Sequence, residues 1–250
     1  MSYGRLLWIL QHCFTGFIAA SRIINVTIPT QPDPVSVMSV FGWIIIHQHF
    51  GYTFDWMLPW ADYKAGFGSI DADFWLGLEK VHLLTSYQPY RLRVEVQERS
   101  TKLWYSAEYW SFKVGDELNA KYRLEVSGYS GDAGDSLNYE GDWDGNGYFG
   151  VYNHNGMKFS TIDRDNDQDD GSCVPNRGGG WWFNDCMWSC LTCVEAKYEW
   201  WSLNSLSSGF VADSRMMIKP QWMWKLRAWT RHFSDMFAVL SFTVLILLDG

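Results

Sequence analysis

A run of aspartates beside two cysteines, in the second half of the chain, constrains the fold more than any other feature. Five of the residues from 163 to 170 are aspartate, and Asp165 and Asp167 stand at alternate positions. Such carboxylates, with backbone carbonyls between them, can surround a Ca²⁺ ion, which takes roughly six to eight oxygen ligands. Cys173 follows closely, and an aromatic, glycine-rich segment then leads to Cys186. An acidic surface turn is the alternative, but the nearby cysteines favour a calcium-binding loop.

Length and charge narrow the class of protein. A chain of 250 residues can form one large domain with flanking segments. Aromatic residues make up 18% of it, with 16 tryptophans, which suits a fold whose loops are held in place by large rings. The formal net charge is −8, and the lysines and arginines form no stripe along the sequence. We therefore expect no nucleic-acid partner.

The first half of the chain is patterned as strands. From Tyr90 to Gln97 polar and apolar residues alternate, so Leu92, Val94 and Val96 share one face of a half-buried strand. Further strands are predicted at Val35–Val40, Trp43–Ile46, Trp104–Phe112 and Tyr122–Val126, and short helices at Trp56–Tyr63 and Leu78–Thr85. This pattern indicates a largely antiparallel sheet with a few helices. After Gly128 the sequence is rich in glycine, aspartate and asparagine, which predicts binding loops.

Several motifs, in a fixed order, carry a family resemblance. They are Pro59 to Gly68, Asp73 to Lys80, Tyr122 to Leu124, Gly128 to Gly131, Ala133 to Ser136, His154 to Gly156 and the aspartate loop. In this order they resemble the C-terminal domain of fibrinogen, a module also found in ficolins, tachylectins, angiopoietins and tenascins. The resemblance covers roughly Pro34 to Pro220. It implies an α+β fold with a central, mostly antiparallel sheet, few short helices and a loop-rich, calcium-binding C-terminal part.

The resemblance implies a metal site at named positions. Calcium-bound members hold the ion with two aspartate side chains and two backbone carbonyls. The matching side chains here are those of Asp165 and Asp167, and the matching carbonyls are those of Asp169 and Gly171. Ca²⁺ is therefore the expected cofactor.

The resemblance also implies a disulfide between Cys173 and Cys186 and a ligand pocket beside the second cysteine. In lectin-like members this pocket takes acetyl groups and lies around a cis peptide bond that matches Asp185–Cys186. The pocket walls would include Met187, Arg177 and Trp200. Met187 stands where histidine is usual, and Arg177 stands where tyrosine is usual. These two departures remove hydrogen-bonding groups that acetyl recognition uses.

The other three cysteines depart from the family pattern, and the total of five is odd. The family partner of Cys13 would stand where this chain has Ser39, so that pairing is not expected. Cys190 and Cys193 are additions to the pattern. A Cys-x-x-Cys pair occurs in redox motifs and zinc sites, but no βαβ pattern surrounds this pair and no second ligand pair follows it. A local disulfide or two unpaired thiols are the favoured interpretations.

Residues 34–220 form the expected domain, which leaves two flanking segments. Residues 1–33 are interpreted either as a signal peptide or as a divergent N-terminal part of the domain. Residues 221–250 form a hydrophobic tail. Its apolar run from Met236 to Leu248 is shorter than the about 20 residues that a spanning helix needs, so we expect no membrane insertion.

Residues 140–153 are an insertion in the family pattern. Asp142, Asp144 and Asn146 match the first half of an EF-hand loop. Asn153 stands where such a loop needs a bidentate glutamate, so a glycine-rich hairpin is favoured over a second ion site.

Together these features predict a secreted, extracellular recognition protein that depends on calcium. Its expected ligand is acetylated carbohydrate, bound in a lectin-like manner, and its expected role is in innate immunity. The alternative is an extracellular matrix or receptor–ligand module that binds another protein and has no sugar pocket. A homo-oligomer is left open: weak sugar sites need multivalency, but the sequence shows no collagen-like or coiled-coil segment before the domain that would supply it. We expect no enzyme, since the chain has no nucleophile elbow or phosphate loop. His47 and His49 are interpreted as strand-surface residues.

Overall fold

A computed structural model describes residues 21–28, 31–50, 54–139, 152–194, 199–203 and 210–222. Several predictions from the sequence lie outside these residues. They concern Cys13 and the first 20 residues, the insertion from 140 to 151, and the tail from 223 onward.

Eleven strands and four helices are assigned within the described residues. The strands are β1 Ser21–Val26, β2 Val35–Val40, β3 Trp43–Phe50, β4 Phe67–Gly68, β5 Phe74–Trp75, β6 Tyr90–Glu98, β7 Trp104–Val114, β8 Leu124–Gly131, β9 Ser189–Cys190, β10 Glu199–Trp200 and β11 Val211–Pro220. The helices are α1 Trp60–Ala65, α2 Leu78–Tyr87, α3 Glu117–Ala120 and α4 Cys173–Arg177.

A central antiparallel sheet organises the molecule. Its strands run in the order β1-β2-β3-β11-β6-β7-β8, with the short β4–β5 pair attached beside β3. Strand β11, from the C-terminal part of the chain, lies between β3 and β6 and pairs with both. The predicted antiparallel sheet with few short helices is confirmed. Strand β11 was not predicted from the sequence.

Strand β6 follows its sequence alternation. Leu92, Val94 and Val96 are fully buried on the core side. The opposite face carries charged side chains, where Glu95 forms ion pairs with Arg93 and Arg215. Alternation of apolar and charged residues thus places one face on the core and the other toward solvent.

Some element boundaries differ from the prediction. Helix α1 begins at Trp60 rather than Trp56, because Pro59 occupies the position before it in an extended conformation. Strand β8 begins at Leu124 rather than Tyr122, because Lys121 and Tyr122 adopt positive φ angles of 51° and 54°. A left-handed backbone cannot continue a strand.

His47 and His49 are buried, so their assignment to the strand surface is wrong. Strand β3 is covered on both faces, and both imidazoles lie 5.2 Å from the Trp56 ring, measured between ring centroids. Burial, reinforced by the nearby charge of His49, lowers the pKa of His47 well below its usual value. These histidines therefore pack the core.

An aromatic core joins the sheet to the loop-rich half of the molecule. Tyr63 of α1 donates a hydrogen bond to the carbonyl of Trp56 (2.7 Å) and accepts one from the N–H of Gly180 (2.9 Å). Gly180 is required there, because a Cβ atom would lie 2.8 Å from the Tyr63 ring and 2.9 Å from that of Phe159. The core thus fixes the segment that leads to Cys186.

Regular structure is sparse from 152 to 194, as the glycine- and aspartate-rich sequence predicts. Only α4, β9 and isolated bridges occur in this range. Among the described residues, no helix is both long and apolar enough to cross a membrane.

Candidate functional site

The aspartate loop is a series of turns made by its own side chains. A carboxylate oxygen of Asp165 accepts a hydrogen bond from the N–H of Asp167 (3.2 Å). Asp167 accepts one from the N–H of Asp169 (3.1 Å), and Asp169 accepts one from the N–H of Gly171 (3.2 Å). Each aspartate therefore fixes the backbone two residues ahead, which is a common use of this side chain in turns.

Asp167 is held in an environment that disfavours its negative charge. Partial burial and the nearby carboxylate of Asp165 raise its pKa to about 6, although hydrogen bonds from the N–H groups of Cys173 and Asp169 oppose the shift. Asp185 is similar, because burial and the charges of Asp169 and Asp170 raise its pKa. A cation would offset the repulsion between these carboxylates.

The donor set fits calcium rather than a softer metal. Asp165 and Asp167 supply neighbouring carboxylate oxygens, the ligand type that Ca²⁺ prefers. A carboxylate oxygen of Asp169 also lies within 4.8 Å of the sulfurs of Cys173 and Cys186. Those sulfurs are joined in a disulfide and cannot act as thiolate ligands. The side-chain atoms that this loop can offer to a metal ion are therefore oxygens.

The disulfide between Cys173 and Cys186 connects the aspartate loop to the segment that follows it. Cys173 is the first residue of α4, and its N–H donates to a carboxylate oxygen of Asp167 (3.0 Å). On the other side, the peptide bond between Asp185 and Cys186 is cis. The arrangement agrees with the disulfide and the cis bond that the family resemblance implies.

His154 fixes the backbone just after Cys186. Its Nε2 accepts hydrogen bonds from the N–H groups of Trp188 (3.0 Å) and Ser189 (2.9 Å). Its Nδ1 lies 2.7 Å from the carbonyl oxygen of Trp182, so Nδ1 carries the proton and the ring is neutral. Burial lowers the pKa of His154 to about 4, against the opposing effect of the Trp182 carbonyl.

A cavity of about 200 Å³, here called the recognition cavity, lies beside this segment. Its walls are formed by Tyr152, Arg177, Met187, Trp188, Glu199 and Trp201. Two of the predicted binding residues, Arg177 and Met187, therefore meet at one cavity. Asp185 and Cys186 do not line it, although Cys186 directly precedes Met187.

Trp200 does not reach the recognition cavity, which corrects its assignment as a pocket wall. It is fully buried, and its indole N–H donates to the carbonyls of Ala133 (3.1 Å) and Gly134 (3.2 Å). Its neighbours Glu199 and Trp201 line the cavity instead. Alternation along β10 turns Trp200 inward and Glu199 to the opposite side, and Trp201 lies in the turn that follows the strand.

Four residues of the cavity wall were missed from the sequence, namely Tyr152, Trp188, Glu199 and Trp201. Trp188 is held by stacking on Tyr139, with ring centroids 4.2 Å apart, and by a hydrogen bond from its indole N–H to the hydroxyl of Ser202 (2.9 Å). Trp201 directly follows the predicted wall residue Trp200, and this adjacency was the local signal that could have found it. The other positions depend on long-range folding.

Cys190 and Cys193 form a second disulfide, so the local-disulfide interpretation is the one that the structure supports. Both cysteines are fully buried behind the recognition cavity, where β9 pairs with β10. The bridge therefore closes the short turn that follows β9.

Comparison with known proteins identifies the family. Residues 36–221 match the family described as the C-terminal globular domain of fibrinogen beta and gamma chains. The chain belongs to this family. Fibrinogen C-terminal domains are non-enzymatic binding and structural modules, in agreement with the expectation from the sequence.

Relatives of the chain include angiopoietin-related and fibrinogen proteins. It is 38% identical over 143 residues to angiopoietin-related protein 1 of Bos taurus, covering 57% of this chain and 26% of that protein. It is 40% identical over 176 residues to the fibrinogen alpha chain of Homo sapiens, covering 67% of this chain and 20% of that one. The chain thus spans about a quarter or less of the length of these relatives.

Solved structures of the family have the same fold. The fibrinogen-like globe domain of human ANGPTL2 superposes with a TM-score of 0.68 at 31% identity, covering 85% of this chain and 97% of that domain. Lamprey fibrin D-dimer, complexed with the peptide ligand Gly-His-Arg-Pro-amide, superposes with a TM-score of 0.69 at 30% identity, covering 81% of this chain and 70% of that one.

Proposed function

We propose that this chain is an extracellular, calcium-dependent recognition module that binds a small group of a partner protein in the recognition cavity. Its relatives, including angiopoietin-related protein 1, tenascin-R and fibrinogen chains, are extracellular proteins that bind other proteins. Two disulfides also suit an oxidising compartment, which supports secretion.

The observation that carries this proposal is the position of the recognition cavity. Arg177 is the last residue of α4, which begins at Cys173, and Met187 directly follows Cys186. The disulfide therefore holds two walls of the cavity together, and the aspartate loop is tied to the same disulfide through Asp167. A concave site with apolar walls and a few polar groups is the usual form of a small-ligand site.

Calcium has a defined role in this proposal. The side chains of Asp165 and Asp167, with the carbonyls of Asp169 and Gly171, would hold the ion. A bound cation offsets the repulsion between the two carboxylates and stabilises the loop that precedes Cys173. Loss of the ion would loosen α4, and with it the wall that Arg177 provides.

Acetylated carbohydrate is a second candidate ligand, favoured by the apolar part of the cavity. The side chain of Met187 and the rings of Trp188 and Trp201 offer a surface for a methyl group or a sugar face. The cis peptide bond at Asp185–Cys186 also agrees with the lectin-like pattern. Innate-immune glycan recognition would be the role in this case.

An array of immobilised glycans and extracellular peptides tests the proposal. Wild-type chain and a Met187→Arg variant, which fills the cavity, are compared in calcium and in chelator. We expect the wild-type chain in calcium to bind some of the immobilised ligands, and this binding should be lost both in chelator and in Met187→Arg. The control Ile23→Arg, at an exposed position on β1, should keep the binding. Retention only on N-acetylated sugars would select the second candidate. Binding that is indifferent to chelator and to Met187→Arg would contradict the proposal.

A further inference from the structure

Arg177 places a poorly satisfied cation in the wall of the recognition cavity. Its Nε is buried and, among the residues that the structure describes, has no hydrogen-bond acceptor. No carboxylate of those residues lies within ion-pairing distance of its guanidinium.

Leaving this group unpaired has an energetic cost. A buried donor without an acceptor costs about 1–3 kcal/mol, and the cost is larger when the group is charged. Guanidinium groups bind carboxylates well because their planar N–H donors match two carboxylate oxygens. A carboxylate entering the cavity would remove the cost and form charge-assisted hydrogen bonds.

The position of Arg177 is fixed by its backbone rather than by its side chain. Its carbonyl accepts a hydrogen bond from the N–H of Val194 (3.1 Å), and α4 is capped directly after it by Gly178, whose φ angle is 82°. A side chain at Gly178 would place its Cβ 2.2 Å from Val194. The backbone from which the Arg177 side chain projects is therefore fixed, so it need not be ordered when a ligand binds.

Glu199 sets a second requirement on the ligand. It lines the same cavity, and a carboxylate oxygen of its side chain accepts a hydrogen bond from the indole N–H of Trp201 (2.6 Å). A carboxyl oxygen in the wall can also accept a hydrogen bond from a ligand that brings an N–H or O–H donor.

We propose that the recognition cavity selects a carboxylate with a neighbouring hydrogen-bond donor, and that Arg177 binds the carboxylate. The free C-terminal end of a peptide and an acidic sugar both carry this chemistry. This inference rests on the proposed function, because it assigns the ligand chemistry of the same cavity. A neutral acetyl group alone offers no carboxylate for Arg177 to bind.

Two matched pairs of probes test the inference with the full chain in calcium. N-acetylglycine is compared with N-acetylglycinamide, and glucuronate with glucose, by calorimetric or NMR titration. Each pair differs in whether a carboxylate is present. We expect the carboxylate member of at least one pair to bind about tenfold more tightly or better, as the loss of one charge-assisted hydrogen bond implies. The pair that discriminates identifies the source of the carboxylate.

Variants at position 177 separate a binding role from a structural one. Arg177→Gln should abolish the preference for the carboxylate, Arg177→Lys should keep part of it, and Arg22→Gln, an exposed arginine on β1, should leave it unchanged. Calcium heat should not change in any of them, and the thermal midpoint should not fall, because Arg177→Gln removes a buried donor that has no acceptor. The inference is overturned if both members of each pair bind equally, if none binds, or if Arg177→Gln keeps the preference.

Different results would overturn the proposed recognition function and the carboxylate inference. If the array shows binding that depends on the cavity but only to neutral or cationic ligands, the carboxylate inference is overturned. The proposed recognition function is then unaffected. Array binding that ignores Met187→Arg would overturn both.

Discussion

His154 shows how one buried side chain shapes the candidate site. The neutral ring accepts two backbone hydrogen bonds from residues that follow Met187 and donates one to the carbonyl of Trp182. A protonated ring has no acceptor nitrogen, so protonation would break the contacts with Trp188 and Ser189. The backbone of the cavity wall therefore depends on the charge state of this residue.

This dependence predicts a loss of stability in mild acid. The pKa of His154 is about 4 in the folded chain and about 6.5 when unfolded, so the unfolded state binds a proton first as pH falls. Its contribution is complete above the unfolded pKa and is lost as pH falls toward the folded pKa. Between pH 7 and pH 5 the free energy of unfolding should fall by about 2 kcal/mol from this residue.

Urea unfolding at both pH values measures the effect. The difference between pH 7 and pH 5 should be smaller in His154→Gln, which cannot titrate, than in the wild type. An identical difference in both proteins would show that His154 does not titrate as described.

Individual residues could be placed from the sequence only where a local motif specified their position. Arg177 and Met187, two of the residues that the resemblance assigns to a ligand pocket, line one cavity, and their role in binding stays a prediction. The resemblance failed at Trp200, whose side of β10 depends on strand pairing with β9. The interpretation of His47 and His49 as surface residues was also wrong, because the elements that bury both faces of β3 are distant in sequence.

The two disulfides act on different elements. The bridge from Cys173 to Cys186 spans 13 residues and connects α4 to the segment after the cis bond, whereas the bridge from Cys190 to Cys193 spans 3 residues within one turn. A cross-link stabilises by restricting the unfolded chain, and the effect grows with loop length. The longer bridge should therefore contribute more to stability.

Paired serine substitutions test this order. Cys173→Ser with Cys186→Ser should lower the free energy of unfolding by about 3 kcal/mol, and Cys190→Ser with Cys193→Ser by about 2 kcal/mol. The first pair should also weaken calcium binding, because the N–H of Cys173 donates to Asp167. Urea unfolding and calcium titration of both variants provide the comparison. A larger loss in the second pair, with calcium affinity unchanged in the first, would contradict this account.

At the element scale, strands with strong alternation were predictable and inserted strands were not. β6 was predicted almost to its ends because its alternation reports burial directly. β11 was missed, because its burial on both faces between β3 and β6 removes the alternation on which such a prediction depends. Helix α1 begins after Pro59 rather than at Trp56, because proline disfavours helical backbone in the residue before it.

At the scale of the whole molecule, the sheet and its aromatic core form the scaffold, and loops form the candidate site. The seven-stranded path of the sheet and its aromatic core fix the segment around Gly180, while the aspartate loop, the disulfide and His154 fix the cavity walls. The family and the fold were predictable, because ordered motifs specify them. The ligand was not, because it depends on the side chains that line one cavity.

The central claim is that a calcium ion held by Asp165 and Asp167 stabilises this site. Titration of Ca²⁺ into the demetallated, folded chain, followed by calorimetry, tests it most directly. We expect a binding heat and a rise in the thermal midpoint, corresponding to about 2.7 kcal/mol at a hundredfold excess over the dissociation constant. Both should vanish in Asp165→Asn with Asp167→Asn and persist in Asp33→Asn, an exposed control. No heat and an unchanged midpoint in the wild type would contradict the claim.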